Sequence, residues 1–161
     1  MHAVDFDTDA FRQWLAAQTG QDAALAFTPI RGGASCELFR MTRNGEDWIV
    51  RRAPTAMVDE SAHDVLREAR ILQALHGSAV PVPAVLASSD DRSLLGAPFF
   101  IMRFIDGEVI RNGLPEDYLR HPETQPRIGE ELIDKLAALH AFPWQDSPIA
   151  ALSRPENFLE R

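Results

Sequence analysis

Asn44-Gly45 constrains this chain more than any other pair of its residues. It lies between two strand-like runs, Cys36 to Thr42 and Asp47 to Arg52, entered through Arg43 and left through Glu46. A type I′ turn needs positive φ at both central residues, which Asn and Gly tolerate, and its twist matches that of the flanking strands. The pair therefore predicts an antiparallel hairpin with one register. Arg43 faces Glu46, Met41 faces Trp48, Phe39 faces Val50 and Leu38 faces Arg51. One face then carries Phe39, Met41, Trp48 and Val50 and belongs to the core. The other carries Leu38, Arg40, Ile49 and Arg51. Two readings fit this second face: an ordinary half-exposed surface, or one that holds a flat apolar group beside an anion.

A helix predicted from Ser61 to Gly77 adds a second constraint. Ser61 and Asp64 form a near capping box, and Gly77 suits the left-handed stop. At helical spacing Ala62, Val65, Leu66, Ala69, Leu72 and Leu75 share one face, and Glu68 projects between Leu72 and Leu75. A carboxylate on an apolar face is costly unless a cation or hydrogen bonds meet it. Either Glu68 flanks the face and reaches solvent, or a cation elsewhere in the chain answers it.

Composition narrows the function classes. The 161 residues are 45% apolar and 25% charged, an ordinary globular balance with room for one domain and a real core. A net charge of −8 argues against nucleic acid as a partner. The single cysteine, Cys36, excludes an internal disulfide framework. No apolar run approaches the ~18 residues of a membrane span and the first residues carry no signal segment, so no membrane role and a cytoplasmic location are expected.

The other elements follow from caps and periodicity. Asp7 or Thr8 caps a short helix bearing Phe11, Trp14 and Leu15, stopped at Gly20. Leu25 to Ile30 reads as a strand. Val80-Pro81-Val82-Pro83 is extended because residues before proline avoid the helical region. Ala84 to Ser88 is a strand, Asp90 to Ser93 a polar turn, and Phe99 to Ile105 an apolar and therefore central strand. Gln125 to Ala141 is a helix with Ile128, Leu132, Ile133, Leu136 and Leu139 on one side, and His140 packs at its end. The fold class is α+β: an antiparallel sheet with a helix between strands 3 and 4.

These pieces together resemble the small lobe of the aminoglycoside phosphotransferase-like kinases, relatives of the protein kinases. The resemblance runs from about Ile30 to His140. Gly32-Gly33-Ala34-Ser35, Trp48-Ile49-Val50-Arg51-Arg52 and Ala62-His63-Asp64-Val65-Leu66-Arg67-Glu68 carry it. So do Val80-Pro81-Val82-Pro83, Gly96-Ala97-Pro98-Phe99-Phe100-Ile101-Met102 and Leu136-Ala137-Ala138-Leu139-His140. The resemblance implies a kinase-like nucleotide-binding lobe over residues 1–107. Residues 108–161 would form a helical linker and the start of a second lobe. It implies that Gly33, Ala34 and Ser35 close over the phosphates of ATP, and that Leu38 and Ile49 sandwich the adenine. Arg51 falls where the family has a phosphate-touching lysine, and Glu68 matches the helix glutamate that pairs with it. Met102, Arg103 and Ile105 would form the hinge, with the Arg103 carbonyl and the Ile105 amide meeting the base.

Two features depart from the family pattern. Arginine at 51 is bulkier than lysine, although its planar fork can grip a carboxylate and a phosphate together. No His-Gly-Asp-type catalytic loop occurs, since His76-Gly77 is followed by Ser78. The Mg2+ ions and the catalytic aspartate would then come from residues of a lobe outside this chain, and no catalytic or metal-binding residue is assigned within it. The implied activity is phosphoryl transfer from ATP to a small-molecule hydroxyl in the complete enzyme, with this chain inactive alone. The alternative is a non-catalytic nucleotide-binding or interaction module. Either way the hinge strand and linker helix should present uncovered apolar surface. Size-exclusion chromatography is expected to show concentration-dependent self-association, and a clean monomer at high concentration would overturn this.

Overall fold

A computed structural model of the chain describes residues 4–30, 36–55, 64–110 and 112–152. Asp7 caps α1 (Thr8–Thr19) by accepting from the Asp9 and Ala10 amides at 2.9 and 3.1 Å. Gly20 ends the helix at φ 70°, its amide on the Ala16 carbonyl. After β1 (Leu25–Ile30) comes the hairpin of β2 (Glu37–Arg43) and β3 (Glu46–Arg52). Asn44 and Gly45 take φ of 51° and 78°, and the register is the predicted one, from Arg43 opposite Glu46 to Leu38 opposite Arg51. Next come α2 (Val65–Leu75), β4 (Val85–Ser89), α3 (Arg92–Leu95) and β5 (Phe99–Arg103). All the pairings are antiparallel, in the order β1-β2-β3-β5-β4, and α2 separates the third and fourth strands of the sequence, as the α+β reading required.

β2 and β4 shift by one residue from the sequence reading and the helix from Gln125 ends one residue earlier, at His140; three differences are larger. Asp64 takes the cap of α2, accepting from the Arg67 amide at 2.8 Å, so Val65 is its first helical residue; Ser61 lies outside the described residues. The polar turn at Asp90 to Ser93 continues into α3, because Asp91 caps it and Gly96 closes it at φ 77°. β5 stops at Arg103, short of Ile105. The Phe104 amide still reaches the Asp47 carbonyl at 3.2 Å, but the pairing goes no further, although β3 itself runs to Glu46.

One face of the sheet packs against α1 and α3 through Phe11, Leu15, Phe39, Met41, Val50, Leu95, Phe99 and Ile101. Phe6 and Phe27 meet edge-on at 5.2 Å beside them. Each such side chain removed from water contributes ~1.5–3 kcal/mol. The opposite face is covered by α2 through Val65 and Ala69 on Phe100, with Cys36, Leu66, Leu72, Val85 and Met102 around them.

The core face also holds two arginines. Neighbouring arginines such as Arg51-Arg52 are usually solvated, but Arg52 is only 2% exposed. Its Nε donates to Glu37 Oε2 at 2.6 Å, one Nη to the Leu95 carbonyl at 2.8 Å and the other to Asp5 Oδ2 at 2.9 Å. Its guanidinium lies over the rings of Phe39 and Phe6, at 5.1 and 5.7 Å. Hydrogen bonding from Arg52 holds the Asp5 carboxyl below its usual range. Arg43 donates to Thr19 Oγ1 at 2.6 Å and to the Gln21 carbonyl at 2.8 Å, tying the end of α1 to the hairpin.

Beyond β5 the chain runs through α4 (Glu116–Arg120) and a short turn of helix at Pro122–Thr124 into α5 (Gln125–His140). After Ile101 no described residue is buried. Leu132, Ile133, Leu136 and Leu139 of α5 stand exposed, as do Ile105 and Val109. His140 is exposed too, not packed as expected, because α5 packs chiefly against the Pro122–Thr124 turn. The hinge strand, expected to be partly uncovered, is enclosed at Phe99, Phe100 and Ile101, between its two neighbouring strands and the two covered faces. It is half-buried at Met102, and Ile105 beyond it is exposed. Among the described residues no helix is long and apolar enough to cross a membrane.

Replacing Arg52 with alanine would leave the Leu95 carbonyl without this partner and a cavity beside the rings of Phe6 and Phe39. Arg52→Ala is expected to lose about 3 kcal/mol in urea denaturation. A loss below ~1 kcal/mol would mean that the carboxylates it meets, both partly exposed, carry little of its anchoring.

Candidate functional site

Strand alternation places Ile49 and Arg51 together on the face of β3 opposite the aromatic core. Leu38 and Arg40 of β2 stand across from Arg51 and Ile49, while Phe100 and Met102 of β5 flank them on the other side. Ile49 is buried, and Leu38 and Met102 are half-buried. α2 covers the Phe100 end of this face, and from its edge Glu68 accepts from Arg51 Nε at 2.8 Å. The cation that answers Glu68 is therefore Arg51. The side chains are 25% and 44% exposed, so the pair is partly solvated and the Glu68 carboxylate is not sunk in the apolar face.

Five of the sequence-predicted site residues thus meet on one face: Leu38, Ile49, Arg51, Glu68 and Met102. Gly33, Ala34 and Ser35 lie outside the described residues. The Arg103 amide donates to the Ala84 carbonyl at 2.8 Å, so this peptide is turned away from β3. Ile105 comes after the strand and is 64% exposed.

The sequence reading missed a cluster at the far end of the same face. Arg40 is paired with Asp47, whose other carboxylate oxygen accepts from Thr42 Oγ1 at 2.7 Å. The Arg40 guanidinium lies 4.6 Å from the centre of the Phe104 ring. The signal was available, because the hairpin register sets Asp47 opposite Thr42 on the face that carries Arg40. A separate groove of about 520 Å³ lies between α4 and α5, lined by Tyr118, His121, Arg127 and Ile128 among others. None of the five residues gathered on the sheet lines it.

Residues 26–161 match the profile of the phosphotransferase enzyme family, APH. The chain belongs to that family. Among solved structures it is similar to a candidate aminoglycoside phosphotransferase from Ralstonia eutropha. That match is 27% identical with a TM-score of 0.77 and covers 97% of this chain and 44% of the other. A thermostable mutant of aminoglycoside phosphotransferase APH(4)-Ia, in ternary complex with AMP-PNP and hygromycin B, shares the fold. The TM-score is 0.53 at 18% identity, over 81% of this chain and 38% of that one. Among curated relatives, acyl-CoA dehydrogenase family member 11 of Gallus gallus is 27% identical over 141 residues, 86% of this chain and 17% of the relative. Acyl-CoA dehydrogenase family member 10 of Mus musculus is 28% identical over 114 residues, 70% of this chain and 10% of the relative. The chain spans less than a fifth of these curated relatives and less than half of the solved structures.

Partly exposed ion pairs contribute little to stability because water competes for both partners. Glu68→Ala is expected to lower stability by less than about 1 kcal/mol in urea denaturation, far less than Arg52→Ala. Equal losses would make Arg51–Glu68 a structural brace.

Proposed function

We propose that this chain is the nucleotide-binding lobe of an ATP-dependent phosphotransferase that phosphorylates a small-molecule hydroxyl. The observation that carries the reading is the 2.8 Å bond from Arg51 to Glu68, on the face that also bears Leu38, Ile49 and Met102. Family membership supports it, and so does the structural neighbour in complex with AMP-PNP, a nucleotide triphosphate analogue.

In this reading the adenine lies against Leu38, Ile49 and Met102, bonded by the Arg103 carbonyl and the Ile105 amide. Gly33, Ala34 and Ser35 approach the phosphates through their backbone. Glu68 fixes the Arg51 fork through Nε, and the Nη groups of that fork meet the phosphate oxygens. A pre-positioned cation stabilises the charge of the triphosphate without reorganising during the reaction. Mg2+ would neutralise the remaining phosphate charge and would be held by residues outside this chain. The γ-phosphoryl group passes from ATP to the acceptor oxygen, and the hydroxyl proton goes to a carboxylate that this sequence does not supply. Residues 1–107 form the nucleotide lobe and residues 108–161 the connection towards the acceptor side. The relatives' names span aminoglycoside phosphotransferase and acyl-CoA dehydrogenase, and they support no narrower acceptor than a small-molecule hydroxyl.

Calorimetric titration of ATP, with and without Mg2+, tests this on the chain and on Glu68→Ala. Binding is expected in the chain and should weaken about tenfold in Glu68→Ala, the scale of one charge-assisted contact. No heat at millimolar ATP in the unaltered chain would overturn the assignment of a nucleotide site to these residues.

A further inference from the structure

The cluster around Asp47 acts on one short segment, the residues that leave β5. Within the sheet plane, the Phe104 amide donates to the Asp47 carbonyl at 3.2 Å. On the Leu38–Ile49 face, the Asp47 carboxylate holds Arg40, and the Arg40 guanidinium covers the Phe104 ring at 4.6 Å. On the opposite face, the Arg103 guanidinium sits 5.7 Å from the centre of the Trp48 ring and 3.7 Å from Glu46. The hairpin thus grips Arg103 and Phe104 from three directions. Hydrogen bonds from Arg40, then from Thr42, keep the Asp47 carboxyl below its usual range, so it stays ionised and bound to Arg40. Asp106, in the same segment, adds a further attraction for Arg40.

The register separates the two arginines of this face. Arg51 stands opposite Leu38 and reaches α2, whereas Arg40 stands opposite Ile49 and reaches the segment after β5. One end of the face is therefore governed by the Arg51–Glu68 pair and the other by Arg40 and Phe104.

We propose that Arg40, Asp47 and Phe104 form a clamp that sets the base-binding edge of the site, with Arg40 as a positioning residue that touches no phosphate. The proposal rests on the nucleotide reading above and adds a division of labour to it. Removing the clamp releases the peptides on either side of Phe104, which present the Arg103 carbonyl and the Ile105 amide. It leaves the cation at the phosphate end in place.

Three proteins are compared: the unaltered chain, Arg40→Ala, and Phe104→Leu, which keeps the backbone amide while removing the ring. Each is titrated with ATP and with inorganic tripolyphosphate, which has no base. Amide hydrogen exchange at residues 104–106 is followed without ligand. Both variants are expected to speed exchange in this segment and to weaken ATP about five- to tenfold, the scale of a guanidinium–ring contact. Tripolyphosphate binding should be unchanged, whereas Glu68→Ala should weaken both ligands. Unchanged exchange at residues 104–106, equal weakening of both ligands, or unaltered ATP binding by Arg40→Ala would each overturn the clamp. An unaltered chain that binds neither ligand would overturn the nucleotide reading itself and the clamp's role with it. The exchange data would then report separately whether the contact orders the segment.

Discussion

A slip of one residue in the β2–β3 ladder would exchange the two arginines at the end of β3. Arg52 would turn towards α2, and Arg51 would enter the aromatic core. Everything built on the hairpin depends on this not happening, and the two positive φ values at Asn44 and Gly45 prevent it. The core side reinforces the choice. Each nitrogen of the Arg52 fork has a partner, in Glu37, the Leu95 carbonyl and Asp5, and the rings of Phe39 and Phe6 lie 5.1 and 5.7 Å from its centre. A buried guanidinium satisfied in this way fits one position only, so it specifies the register as well as stabilising it.

Two arginines adjacent in sequence thus do opposite work. Arg52 is enclosed, and its bond to the Leu95 carbonyl cannot change without opening the core. Arg51 is partly wet and holds one partner, Glu68. Its bond to Glu68 runs through Nε, so in the proposed nucleotide site the Nη groups can take a phosphate while Glu68 stays in place. A partly wet pair at the edge of α2 therefore suits the proposed site, which must accept and release a charged ligand. A strong buried pair in the same place would resist both.

The strands were legible in the sequence because their information is local. Alternation and the Asn-Gly turn fixed which residues face the core, and caps at Asp7 and Gly20 fixed α1. The placement of Arg51 beside Glu68 was legible for the same reason: the hairpin register supplied one partner and helical spacing the other. What escaped is not recorded locally. β5 stops at Arg103 although β3 runs on to Glu46, and no pattern within Phe99 to Ile105 records that. Arg52 reads as a surface charge until Asp5 and Leu95, remote in sequence, are brought to it. The exposure of His140 depends on what stands beside α5, which that helix's own periodicity does not encode. The exposed apolar side of α5 agrees with the expectation for the linker helix.

The shape of the site also explains why its polar groups sit at two ends. In the proposed nucleotide site the floor of Leu38, Ile49 and Met102 cannot orient a ligand by itself, because apolar contact is not directional. Direction has to come from the rim. At one rim Glu68 fixes the angle of the Arg51 fork; at the other, Asp47 fixes Arg40 and, through its carbonyl, the Phe104 peptide. Both anchors are carboxylates that leave the middle of the face free of charge. β3 supplies the moving part of the first rim and the fixed part of the second, so a shift of this one strand would alter both together. The buried Arg52, next to Arg51 in the chain and facing the other way, is what opposes such a shift.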